Sequence, residues 1–161
     1  MTYDRFEQLP VWQAAIKLGQ RVYAMTKHPV FRRERSFRDQ IERAAVSVSN
    51  NIAEGFERGT TQELLTFLYI ARGSAGEVRS MLCLIEGIPD FSGLKSEISN
   101  LKLEAEGISR QLRAWADKLQ NTGIKGQRYL DEKARRREKS ERERKKFLSE
   151  LEQFRRKTVA S

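Results

Sequence analysis

Four stretches of this chain repeat their apolar residues at steps of three and four, and no useful length alternates with a period of two. Such spacing lines one face of an α-helix, so the core is predicted to be helical throughout. In the first stretch Val11, Ala15, Leu18, Val22 and Met25 make the stripe, widened by Trp12, Ile16 and Tyr23. Pro10 suits a first turn, where its missing N–H has no helical partner to lose, and His28-Pro29 stops the helix. The second stretch starts near Ser36 and runs Phe37, Ile41, Ala44, Ala45, Val48, Ile52, with Gly55 and Gly59 bracketing its end.

The third stretch is capped by Thr60 or Thr61. The Thr60-x-x-Glu63 spacing is that of a capping box, in which each side chain satisfies a free backbone N–H of the first turn. Leu64, Phe67, Leu68, Ala71, Ala75, Val78, Leu82 and Ile85 follow, and Gly87 and Pro89 close the helix. The fourth runs Leu94, Ile98, Leu101, Ala105, Ile108, Leu112, Trp115, Leu119. Its steps alternate four and three, the seam of left-handed helix packing. Connections of roughly four to eight residues favour antiparallel neighbours. The expected fold is all-α: an antiparallel up-down four-helix bundle over residues 1–123, followed by a charged C-terminal helical extension, 124–161.

The boundary rests on charge. Residues 1–123 hold 17 basic and 15 acidic side chains, whereas 124–161 hold 14 basic and 7 acidic, most of the chain's +9. Asn121-Thr122-Gly123 and then Gly126 mark the joint. Residues 131–146 read DEKARRREKSERERKK, with acid-to-base pairs four apart at Asp131–Arg135, Glu132–Arg136, Glu138–Arg142 and Glu141–Lys145. Each such pair stabilises a helix by about 0.2–0.5 kcal/mol. This stretch has no face to bury, so it is predicted to stand in water or lie along a polyanion. For a polyanion the contacting residues are Arg135, Arg136, Arg137, Arg142, Arg144, Lys145 and Lys146. Phe147, Leu148, Leu151 and Phe154 then restore an apolar stripe suited to a partner helix.

Several classes are disfavoured. No run of about 18 apolar residues is present to span a membrane. Residues 1–10 lack a positive start and an apolar stretch, and the single cysteine, Cys83, permits no intrachain disulfide; both point to the cytoplasm. Cys83 is read as a small hydrophobe beside the third stripe, and His28 as a helix-end residue. No phosphate-binding loop, dinucleotide fingerprint or nucleophile elbow occurs. Gly73-Ser74-Ala75-Gly76 lies inside a helical stripe, where its small residues are expected to permit close helix approach. With one histidine, no metal site, cofactor or catalytic constellation is expected.

Arg43, Ser47, Asn51 and Glu54 fall at steps of four, four and three, a polar ridge within the second helix. Ser and Asn compete for backbone hydrogen bonds and are poor interior residues, so the ridge demands a reason. Two readings fit: a satisfied polar network between helices, or a ligand or nucleic-acid surface.

Residues 40–55 follow the pattern QIxRAAxSxxxNIAEG, with LPVWQxA from Leu9 and FLxIARGSxxE from Phe67 flanking it. Over about residues 6–119 the combination resembles the four-helix-bundle family named after the 23S rRNA intervening-sequence protein. Ser49 departs from the pattern, where members often carry proline. The resemblance implies a short antiparallel bundle that assembles as a homopentamer. A related bundle, the accessory variability protein of diversity-generating retroelements, binds a reverse transcriptase and nucleic acid. No catalytic residues carry over. Arg43, Asn51, Glu54, Ser74 and Glu77 match the motif and, with Ser47, are read as structural or assembly residues. The expectation is a non-enzymatic oligomeric bundle that binds RNA or DNA, the alternative a protein-interaction scaffold without nucleic-acid affinity.

Overall fold

The computed structural model describes residues 3–121 together with Ser140, Glu143 and Arg144. It divides into two units, Met1–Gly126 and Gln127–Ser161. Among the described residues of the first are four α-helices: α1 Pro10–Met25, α2 Arg35–Glu57, α3 Thr61–Glu86 and α4 Lys95–Gln120. α1 packs on α2 and α4, and α3 packs on α2 and α4, which closes an antiparallel four-helix bundle.

The helical stripes become the core. Val11, Ala15, Leu18, Val22 and Met25 of α1 are all buried, as are Ile41, Ala44, Ala45, Val48 and Ile52 of α2. Leu64, Leu68, Ala71, Ala75, Val78, Leu82 and Ile85 face them from α3, and Ile98, Leu101, Ala105, Ile108 and Leu112 from α4. At the far end of α4 the seam drifts. Ala116 is buried while Trp115 and Leu119 only pack against the core's edge, because a straight helix does not hold a strict 3.5-residue repeat.

The helix ends follow their local chemistry. Thr60 is the α3 cap: its Oγ1 accepts from the Glu63 N–H at 3.2 Å and donates to Glu63 Oε2 at 2.7 Å. The box is thus closed hydroxyl to carboxylate rather than through the Thr60 N–H, while Thr61 is buried in the first turn. α1 ends at Met25 with Thr26 as its cap, and His28, three residues beyond, accepts through Nδ1 from the Val30 N–H at 3.4 Å to start the 3-10 turn Pro29–Arg32. Phe31 in that turn is fully buried, edge-on to Phe91 at 5.2 Å and 6.2 Å from Phe37. Phe91 belongs to the 3-10 helix Pro89–Leu94 between α3 and α4. One aromatic cluster therefore anchors both connections at the same end of the bundle.

Two packing expectations are corrected. Gly73 and Gly76 have no atom within 4 Å of where a Cβ would stand, so they are not points of close approach; within that stretch only Ser74 and Ala75 are buried. Close approach occurs instead at Gly55, where a Cβ would lie 2.7 Å from Phe67 Cβ and 3.3 Å from Leu64 Cδ1. Cys83 is exposed rather than packed as a small hydrophobe, since one residue beyond Leu82 turns it off the buried stripe.

Candidate functional site

The polar ridge of α2 divides along its length. Ser47 sits at the α2–α3 interface, where its Oγ stands 3.0 Å from Ser74 Oγ. Asn51 Nδ2 donates to the Ser47 carbonyl at 2.7 Å and to Ser47 Oγ at 2.9 Å, and Ser74 Oγ donates to the Ile70 carbonyl at 3.1 Å. Ser47, Asn51 and Ser74 are thus brought together as a partly buried hydrogen-bonded network that joins α2 to α3. Ser49, the departure from the family pattern, is also buried and bonds the Val46 carbonyl at 3.1 Å.

The charged members of the motif lie outside that network. Arg43 is exposed, with no carboxylate within 4.0 Å among the described residues. Glu77 accepts from Gln40 Nε2 at 3.2 Å, a second link between α2 and α3. Glu54 pairs at 2.7 Å with Arg58, whose guanidinium also lies 3.5 Å from Glu63 and 5.2 Å from the Phe67 ring centre. The hydrogen bond that Arg58 donates to Glu54 raises the Arg58 pKa above its ordinary value, with Glu63 adding to it.

The sequence reading missed the ion pairs that clamp the remaining interfaces. Arg21 of α1 forks onto Glu97 of α4, Nε to Oε1 at 3.1 Å and Nη2 to Oε2 at 2.8 Å, while its Nη1 reaches Glu104. Both carboxylates push the Arg21 pKa above its ordinary value, Glu97 most. Glu97 and Glu104 are seven residues apart, two turns of one face, which was the available signal. Lys102 Nζ donates to Glu86 Oε2 at 2.6 Å between α4 and α3, and that bond raises the Lys102 pKa.

Two apolar features face outward. A groove of about 400 Å³ runs between α1 and α2, lined by Ala15, Ile16, Gly19, Tyr23, Val46 and Ser49 among others, with Tyr23 46% exposed. On α3 and α4, Leu84 and Leu103 are 62% and 66% exposed. No helix among the described residues is long and apolar enough to cross a membrane.

In the second unit the described Ser140, Glu143 and Arg144 are helical and exposed. Arg135, Arg136, Arg137, Arg142, Lys145 and Lys146 lie outside the described residues, as do Phe147, Leu148, Leu151 and Phe154.

A solved structure of a protein of unknown function from the S23 ribosomal protein family of Bacteroides thetaiotaomicron matches this chain with a TM-score of 0.59. The match covers 66% of this chain and 97% of that one at 18% identity, a likeness of fold. No curated protein matches the chain. The family model for the 23S rRNA-intervening sequence protein matches residues 7–114, spanning all three motif segments and both sides of the Ser47–Ser74 contact. The chain belongs to the 23S rRNA-intervening sequence protein family.

Proposed function

We propose that this protein is a non-enzymatic homo-oligomeric bundle that binds RNA or DNA, with Arg135, Arg136, Arg137, Arg142, Arg144, Lys145 and Lys146 contacting phosphates. The observation that carries the reading is charge segregation: 124–161 holds 14 basic against 7 acidic residues, beside a nearly balanced 1–123. A helix dense in Arg and Lys neutralises phosphates whatever the base sequence. The family's association with rRNA genes is consistent with such a partner. Aromatic residues for base stacking are scarce there, only Tyr129, Phe147 and Phe154, so the binding is backbone-directed.

Assembly is supported by the outward apolar features. The α1–α2 groove and the Leu84/Leu103 side chains lie on different helix pairs, so a head-to-tail contact between copies would join unlike surfaces, which makes a ring where the rotation closes. A pentamer is the ring size the family resemblance implies. Copies in one ring raise a modest affinity through simultaneous engagement.

The test is binding of short labelled RNA and DNA by the full chain across a salt series, against R135E/R136E/R137E. Each neutralised phosphate contributes about −0.9 to the slope of log affinity against log salt on duplex DNA, about −0.7 on single strands. The expected result is a steep slope that flattens in the variant. Equal binding by the variant would remove the extension from the interface. Binding by neither protein would favour the scaffold reading, in which Phe147, Leu148, Leu151 and Phe154 hold a partner helix.

A further inference from the structure

Charge pairing in the bundle is uneven. Arg21, Arg38, Arg58 and Lys102, among others, each lie within 4.0 Å of a carboxylate. Lys27, Arg32, Arg33 and Arg35 are exposed and, among the described residues, none has a carboxylate within that distance. Residues 27–38 hold five Lys or Arg against one acidic residue, Glu34, whereas the rest of 1–123 holds 12 basic against 14 acidic. The bundle's positive excess is therefore gathered at the α1–α2 connection, on a body that is otherwise slightly negative.

The start of α2 is a poor place for two of these cations, although Glu34 stands at its N-cap. Arg35 and Arg38 occupy the first turn of α2, which holds no acidic residue, so they oppose the positive end of the helix dipole. Yet the segment is firmly held. Phe31 is 0% exposed and packs on Phe91 and Phe37, and the Arg33 N–H bonds the Val30 carbonyl at 3.3 Å. Arg32 and Arg33 follow directly on that anchor, so a ligand would have only side chains to order.

We propose that Lys27, Arg32, Arg33 and Arg35 form a second phosphodiester-binding surface, on the bundle itself, for the same RNA or DNA strand. The proposal rests on the nucleic-acid reading above and assigns it a new contact. Three of the four are arginines, whose planar fork donates to two phosphate oxygens at once. A membrane surface fits less well, because Phe31, the large apolar side chain of this turn, is buried, which leaves Pro29 and part of Val30 to enter the headgroup region. In a ring, the surface recurs once per copy and spaces its contacts along the strand.

The full chain is compared with R32E/R33E/R35E and with R135E/R136E/R137E, using a labelled mixed-sequence single-stranded RNA and a DNA duplex in a salt series. Reversal at the turn is expected to flatten the salt slope by about two to three units on duplex DNA, uniformly across sequences, with helicity and oligomer mass unchanged. R32Q/R33Q/R35Q supplies the same readout if charge reversal disturbs the fold. If turn variants bind like the parent while the extension variant loses binding, this inference falls and the earlier one stands. If the parent binds neither nucleic acid, both fall. Retained affinity for polyglutamate or phosphatidylserine vesicles, lost in the turn variant, would then reassign the surface to that polyanion.

Discussion

Ser47 and Ser74 place their hydroxyl oxygens 3.0 Å apart, joining α2 to α3, and Asn51 donates to the same Ser47 oxygen from one turn further along. Neither hydroxyl is aimed at solvent chemistry; each completes the other's hydrogen bonding within a packed interface. Ser47→Ala and Ser74→Ala are each expected to cost about 1 kcal/mol, and the double variant less than their sum. Urea unfolding at one fixed protein concentration checks this, and strict additivity would show that the hydroxyls do not act on each other.

Gly55→Ala is expected to destabilise the bundle. The added methyl would meet Phe67 Cβ at 2.7 Å, and that atom cannot swing away as the tip of a long side chain could. Overpacking costs about 1–3 kcal/mol, more than the roughly 1 kcal/mol that alanine gains over glycine in a helix. Gly73→Ala, with nothing within 4 Å, is expected to stabilise by about 0.5–1 kcal/mol. Thermal melts of the two variants should therefore move in opposite directions.

Arg21→Lys retains the charge and loses the fork onto Glu97. Stability is expected to fall by about 1 kcal/mol in low salt, and less in high salt where such pairs are screened. Urea unfolding of the parent and of R21K at both salt concentrations checks this. Equal stability of the two proteins throughout would show that the α1–α4 clamp depends on charge alone.

In the proposed homo-oligomer, Leu84→Glu combined with Leu103→Glu should lower the particle mass measured by light scattering while leaving helicity intact. Both side chains are more exposed than buried within the chain, so a loss of mass reads assembly rather than folding. Unchanged mass would remove these two residues from the contact between copies.

The helices and their buried faces were legible because burial repeats with the helix and does so in every segment, from Val11 to Leu112. What the pattern could not carry was the relation between segments. Arg21 reads as one more surface cation until α1 and α4 are set side by side, and Gly55 reads as a helix stop until Phe67 is seen against it. The same holds for Gly73 and Gly76, whose size suggested contact but whose phase on α3 turns them outward. The polar ridge was legible as an anomaly, and its partner Ser74 emerged only from packing. The basic turn was countable in the sequence; that Lys27, Arg32, Arg33 and Arg35 have no carboxylate within 4.0 Å among the described residues required the fold.

The connection between α2 and α3 is three residues long, 58–60, and is closed by the Thr60–Glu63 cap, whereas the α1–α4 interface joins positions such as Arg21 and Glu97 from opposite ends of the domain. Closing a short loop costs little chain entropy and closing a long one costs more, so these interfaces differ in the order of their formation and loss. The α2–α3 hairpin is therefore expected to condense early, with α1 adding to it late. On the way out, α1 is expected to be the first helix to exchange its amide protons with solvent and the hairpin bearing the family's signature residues the last, an order that native-state hydrogen exchange reads directly.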